Sequence, residues 1–357
     1  MSLTDLYPRG GGFIKNSIAS AMVRYGASKF KAKDDWDFVD RRVPPGGDHY
    51  NYNDSFVFQG SDDQGNMFMS RIGLREDGSS REIWVFFDVD GKKFVNSPIL
   101  LTGENPEDHT ISGGGLSYIH NKSDKTWMIK FKGVLTDGVK CEADLRFKPL
   151  SKPYLSSLHM DPASTGRAMA EMSWSKEYFR QLSSERQVRM EQGGLLEGDI
   201  TIGDKTRFIS FKGLRDHSFG KRKWTFINRY IWNILSLNEP IDIGGDPYDY
   251  LCYTTVDYGN TFKHLVSGWI AGPDNILPIV ASSNMHDLAN DGVIPGQYDI
   301  TFVPKGNKPV SGTVFRSGIP HAWMLQNNGF EVNEAYCTVD IEGKKGQGMS
   351  EFGFLRE

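Results

Sequence analysis

The sequence predicts an all-β protein built as two tandem antiparallel barrel or sandwich units, with a short N-terminal helix and a helical linker. Three observations predict it. Aromatic residues make up 12% of the 357-residue chain, a share typical of pleated, half-buried surfaces. The 39 glycines fall largely in turn dipeptides. Between those turns, apolar residues recur with a period of two.

The elements follow in chain order. Residues 1–48 read as an N-terminal arm. Within it Phe13, Ile14, Ile18, Ala21, Met22 and Tyr25 space apolar groups like a short amphipathic helix, with Lys15 and Arg24 beside them. Such a helix docks on the body of the protein or makes a peripheral contact with a membrane surface. Residues 49–150 read as the first β domain. Phe56-Val57-Phe58 precedes a Gly/Asp turn and a strand over 67–74. Glu76-Asp77-Gly78 then turns the chain into 81–89, where Ile83, Val85 and Phe87 share a face. Asp90-Gly91 is a strong hairpin signal, and 127–135 and 139–147 pair across Asp137-Gly138. Residues 151–190 read as the linker: a Pro/Ser-rich stretch, then a helix over 168–189 with Met172, Tyr178, Phe179 and Leu182 inward. Residues 191–357 read as the second β domain, with strands over 195–202, 208–214, 229–237, 250–257, 263–270, 298–303, 312–316, 332–341 and 348–354. Antiparallel sheets of this size close or stack to hide their edges. A small closed barrel either fills its interior or holds one ligand, and an aromatic interior favours an apolar one.

Composition narrows the function. A net charge of -4 with 24% charged residues excludes a strongly basic nucleic-acid binder. Cys141, Cys252 and Cys337 are scattered and read as buried thiols, not as a disulfide framework or a zinc site. No apolar run is long enough to span a bilayer and no secretory leader precedes the arm, so the expectation is a cytoplasmic protein with no transmembrane segment. His49, His109, His120, His159, His264 and His286 show no metal-ligand spacing, and no dinucleotide, phosphate-loop or nucleophile-elbow motif occurs. Neither a metal nor a cofactor is expected, and Gly113-Gly114-Gly115 reads as a turn.

The stretch Gly213-Leu214-Arg215-Asp216-His217-Ser218-Phe219-Gly220-Lys221-Arg222-Lys223-Trp224 concentrates acid–base groups between two glycines and a tryptophan. An ideal strand puts His217 and Phe219 on one face and Asp216 and Ser218 on the other. A bulge at the bounding glycines brings both sets to one rim, where Asp216 orients His217. Under the functional reading His217 faces the cavity and moves a proton. Under the bland one, His and Asp tie a strand end to a loop. Tyr253, Thr255 and Asp257 alternate, so one strand face carries a phenol, a hydroxyl and a carboxylate. His321-Ala322-Trp323 repeats the His-x-aromatic pattern, and Trp232 joins Phe219, Trp224, His321 and Trp323 as candidate ligand contacts.

Asp-His-x-(Trp/Phe)-Gly followed by a basic turn and Trp resembles the lipocalin-like superfamily of the AttH-like proteins. Its more distant members include carotenoid hydratases, fungal lipocalin-like Diels–Alderases and plant tocopherol cyclases. The likeness spans roughly 50–357, with motif identity confined to 213–224 and to 346–352, Gly346-Gln347-Gly348-Met349-Ser350-Glu351-Phe352. It implies two lipocalin-like (calycin) β units with an apolar ligand site. It also implies that a histidine and an aromatic residue, matched here by His217 and Phe219, line that site with a later tyrosine and aspartate. Phe219 stands where the hydratase branch usually has Trp. Tyr253 and Asp257 are the candidates for the later pair. The expected function is a cofactor-independent isomerisation, cyclisation or hydration of a terpenoid, polyene, steroid or polyketide, with His217 and Asp216 catalytic. The rival is a non-catalytic carrier of a hydrophobic ligand.

Overall fold

The structure is a computed structural model that describes residues 11–31, 37–44, 52–75, 80–89, 92–102, 110–134, 138–184, 187–221, 226–283, 293–317, 321–325 and 329–355. The Asp90-Gly91 and Glu76-Asp77-Gly78 turns and Trp224 lie outside the described residues.

The first half supplies β1 (Tyr52–Ser61), β2 (Met67–Arg75), β3 (Ser80–Val89), β4 (Lys92–Thr102), β5 (Thr110–Gly113), β6 (Leu116–Asn121), β7 (Thr126–Val134) and β8 (Lys140–Pro149). A short strand β9 (Tyr154–Leu155) and a helical turn α2 (Ser156–His159) lead into α3 (Pro162–Ala170) and α4 (Lys176–Ser184). The N-terminal helix α1 (Phe13–Lys31) comes before them all. Three long strands follow, β10 (Gln187–Ile202), β11 (Lys205–Lys221) and β12 (Ile227–Ile243). The rest are β13 (Asp246–Tyr258), β14 (Phe262–Ala271), β15 (Ile276–Ser282), β16 (Gln297–Pro304), β17 (Val310–Arg316), β18 (His321–Leu325), β19 (Phe330–Ile341) and β20 (Lys344–Leu355). No helix among the described residues is long and apolar enough to cross a membrane.

The chain divides into two compact units, one of Asp34–Pro153 with Gln187–Arg222, the other of Met1–Lys33, Tyr154–Arg186 and Lys223–Glu357. This differs from a second domain beginning at residue 191. β10 pairs with β8 over Gly194–Ile202 and β11 with β1 over Lys212–Lys221, so the motif strand β11 is part of the first sheet. Nothing in the local pattern of β11 encodes a partner more than 100 residues upstream.

In the first unit the strands lie in the order β4-β3-β2-β1-β11-β10-β8-β7-β6-β5. One apolar cluster draws Phe58, Phe68 and Val85 together with Tyr118, Trp127, Phe147 and Phe211, so the sheet curls around a shared interior. The Tyr118 hydroxyl crosses it to Ser70 Oγ at 2.9 Å.

The second sheet runs β17-β16-β15-β14-β13-β12-β20-β19-β18, and β17 also pairs with β19. That pairing closes eight strands, β12 to β17 with β19 and β20, into a ring. Its interior is apolar over most of its length, with Leu235, Leu251, Ile270, Ile300, Val314 and Val339 among its lining.

The predicted helix over 168–189 is two helices and the start of β10. Asp161 caps α3 by accepting from the N–H groups of Ala163 and Ser164, with Pro162 in the first turn. Ser175 Oγ accepts from the Tyr178 N–H at 3.0 Å and restarts the chain as α4. The predicted 13–25 helix extends to Lys31 and packs on α3, with Ala19 and Ser20 buried and Ile14, Ile18, Met22 and Tyr25 exposed.

Candidate functional site

The motif strand is bounded by two glycines for two reasons. A β-carbon on Gly213 would lie 1.9 Å from the Gln59 carbonyl oxygen, because Gly213 sits between Gly60 and Gly194 in neighbouring strands. Gly220 has a φ of 120°, which disfavours side chains. Between them β11 runs as a regular strand. Arg215, His217 and Phe219 face the interior and Asp216 faces the other way.

His217 is 1% exposed and directly opposes Phe56 of β1, on which its ring stacks at 3.9 Å. Phe219 lies beside it at 5.1 Å, with the edge of Phe38 against its own ring. Nδ1 of His217 meets the Val39 carbonyl oxygen at 2.9 Å, and Nε2 meets Asp54 Oδ1 at 2.7 Å. A carbonyl only accepts, so Nδ1 carries a proton, and Nε2 and Asp54 share one more. Asp54 Oδ2 accepts from the Val43 N–H at 3.0 Å. The neighbouring Arg215 forms an ion pair with Asp40 and donates to Gln192 Oε1 at 2.8 Å. His217 and Arg215 together therefore hold the turn Asp37–Asp40 against the inner face of the first sheet. Both imidazole nitrogens are committed to protein partners, which leaves neither for a ligand.

Asp216 does not orient His217. It is 3% exposed and pairs with Arg189 at 2.6 Å, and Arg189 also meets Glu191 at 3.0 Å. On the same side of the sheet Arg71 and Arg75 share Glu82, at 3.0 and 2.7 Å, and Arg71 lies over Trp84. Burial raises the Glu82 carboxyl, but the two guanidinium charges outweigh it and hold the group down at about 2.

The second cluster lies inside the ring. Strand register stacks it in rows. Thr255, Ile231, Phe352 and Asn333 form one row across β13, β12, β20 and β19. The next row inward is Tyr253, Asn233, Ser350 and Ala335. From β16, the Tyr298 hydroxyl reaches Asn233 Oδ1 at 2.6 Å and Ser350 Oγ at 2.7 Å. Burial drives the Tyr253 phenol well above its ordinary range, the neighbouring Tyr298 adds to this, and Ser282 and Asn233 offset part of it. Burial likewise raises Tyr298. Both phenols stay protonated and act as donors. Thr255 Oγ1, Asp257 Oδ1 and Arg316 Nε are buried and have no hydrogen-bond partner among the described residues.

The sequence candidates thus separate. His217 and Phe219 share the first unit's interior, whereas Tyr253 and Asp257 share one face of β13 in the ring. Trp232 is buried on the opposite face of β12 from Ile231 and Asn233, where its indole N–H donates to Cys252 Sγ at 3.1 Å. It does not line the ring. His321 and Trp323 fall on β18 opposite Glu334 and Val332, and their side chains lie outside the described residues. Asp54 and Val39 were missed because they come from segments remote in sequence. Tyr298 was legible, since Tyr298, Ile300 and Phe302 alternate on one face.

A family model matches residues 39–355. The chain belongs to the family described as Domain of unknown function (DUF7064). Among curated proteins none matches it. Two solved structures share its fold. An AttH-type protein of Nitrosomonas europaea is 8% identical, with a TM-score of 0.55 over 88% of this chain and 99% of that one. Kievitone hydratase of Nectria haematococca is 11% identical, with a TM-score of 0.51 over 89% and 94%. At such identities the likeness concerns the fold, which is all-β and of the lipocalin-like AttH type, as the 213–224 motif implied.

Proposed function

We propose that this protein binds an apolar small molecule inside the eight-stranded ring and moves a proton on it using side chains alone. The observation that carries this reading is the inner face of β13. There Tyr253, Thr255 and Asp257 follow one another, with Thr255 Oγ1 and Asp257 Oδ1 buried and unpartnered among the described residues. Buried polar atoms are hydrogen-bonded in most folded proteins, so orphans sharing one face of an apolar enclosure suit a ligand that completes them. Successive residues on that face stand about 7 Å apart, within the length of a terpenoid or polyketide.

The chemistry follows from these groups. Asp257 takes a proton from the carbon between a ligand carbonyl and a carbon–carbon double bond. The freed electron pair moves into the carbonyl, whose oxygen is held by Thr255 or Tyr253; it then returns as the carbonyl re-forms, the double bond shifts into conjugation, and Asp257 delivers the proton to the far carbon of that bond. The net result is an isomerisation. The same acid and base can instead add water or trigger ring closure. A proton-moving reaction in a relative of this fold, a hydratase by name, supports the reading.

The test is organic extraction of the purified protein and mass spectrometry of what is released, followed by incubation of that molecule with protein in D2O. The wild type introduces deuterium at carbon, whereas Asp257→Asn retains the ligand and loses exchange. A ligand recovered without exchange by the wild type would make the protein a carrier. Absence of any bound apolar molecule or probe would overturn the reading altogether.

A further inference from the structure

The geometry points to an ionised carboxylate on the ligand, held by Arg316 at one end of the ring. This rests on the reading that the ring encloses a small molecule, and it names the class: an apolar acid, not a hydrocarbon, alcohol or ester.

Arg316 closes β17 and turns inward. Its guanidinium carbon lies 4.8 Å over the Phe352 ring, and Nη2 donates to Asn333 at 2.9 Å to the side-chain oxygen and 3.4 Å to the carbonyl. Those two residues belong to the row that ends at the orphan hydroxyl of Thr255. The Arg316 side chain is half-buried, its Nε is fully buried without a partner, and no carboxylate pairs with it among the described residues. Four other arginines withdrawn from solvent in this chain each face a carboxylate. Arg71 and Arg75 face Glu82, Arg189 faces Asp216 and Glu191, and Arg215 faces Asp40.

A guanidinium taken out of water without an anion is costly, and the cost is recovered when a carboxylate supplies two parallel acceptors. Arg316 keeps its Nε donor without a partner for that purpose, while Asn333, which takes Nη2, and Phe352 hold the group in place. Burial lowers the affinity of Arg316 for its proton, and the adjoining Tyr298 and Cys337 partly restore it. Arginine stays charged under such conditions. Thr255 then provides a hydroxyl for a second oxygen of the ligand.

The experiment uses the full chain and Nile red, a neutral probe, to report occupancy of the ring. Retinoic acid, retinol and methyl retinoate, which share one skeleton, compete for it at pH 7.5. The acid is expected to displace the probe at a concentration about tenfold lower than the alcohol or ester, as one charge-assisted pair implies. Arg316→Gln should erase that preference, read as the ratio among the three competitors on the variant itself, and Arg316→Lys should retain part of it. Circular dichroism confirms that each variant is folded. Equal competition by all three compounds, or an undiminished acid preference in Arg316→Gln, overturns the carboxylate and leaves the ring site standing. Failure of the wild type to bind Nile red and all three compounds overturns both.

Discussion

Replacing His217 by Ala separates a clamp from a catalyst. The substitution removes the donor to the Val39 carbonyl and the partner of Asp54, and it takes the stacked ring off Phe56. Asp54 is 2% exposed and would keep only the Val43 N–H as a partner. Removing one member of a buried pair costs about 3–5 kcal/mol. A unit of roughly 150 residues loses 2–4 °C per kcal/mol, so its melting transition should fall by about 6–20 °C. Asp54→Asn is a far milder change. The amide can donate to a neutral Nε2 and accept from Val43, at a cost of about 1 kcal/mol. Calorimetry of the intact chain reads both values. Brief trypsin digestion gives a second readout, because release of the Asp37–Asp40 turn frees the backbone around Arg41 and Arg42 to enter the protease. Binding of Nile red by the ring, which belongs to the other unit, should survive below the transition. The reasoning is refuted if His217→Ala melts within 2 °C of the wild type, or if Asp54→Asn is as damaging as His217→Ala.

Acid stability reports the Glu82 pair. Its folded carboxyl sits near 2 and an unfolded glutamate near 4.3, so its contribution is complete above about pH 4.5 and is lost as the pH falls toward 2. That contribution is about 3 kcal/mol. In denaturant titrations the gap between the wild type and Glu82→Gln should shrink by this amount between pH 5 and 2; a constant gap contradicts the assignment. Gly213→Ala forces a β-carbon to within 1.9 Å of the Gln59 oxygen and should cost about 1–3 kcal/mol. Gly26→Ala in α1, where nothing lies within 4 Å, should be neutral or mildly stabilising, so equal effects of the two would remove the close-packing argument.

The runs over 208–214 and 298–303 were readable because each buries mainly one face against a single interior, whereas 229–237, 250–257 and 332–341 bury both faces and were readable as apolar and aromatic runs between turns. β15 escaped because Pro278 interrupts it, and a proline reads against a strand. The β5–β6 pair turns through Gly114 and Gly115, both with positive φ, at the triplet read as a turn. What no local pattern carried was which strands pair. Phe56 opposes His217 across 160 residues of chain, so the division into units, the carboxylate at His217 and the position of Asp216 all depended on a pairing that neither segment encodes alone. The face shared by Tyr253, Thr255 and Asp257 was legible because it lies within one strand. The isolated arginine ending β17 offered a weaker cue that gains meaning only beside Phe352 and Asn333.

Closure of the ring has a bearing on how this protein fails. Its seams join β12 to β20 and β17 to β19, and while they hold, the paired edges of these four strands are closed to a neighbour. Loss of the hairpin formed by β19 and β20 would bare both β12 and β17 at once, two sticky borders on one body. Damage there should therefore surface as self-association and precipitation, well before it is felt as a gradual loss of affinity.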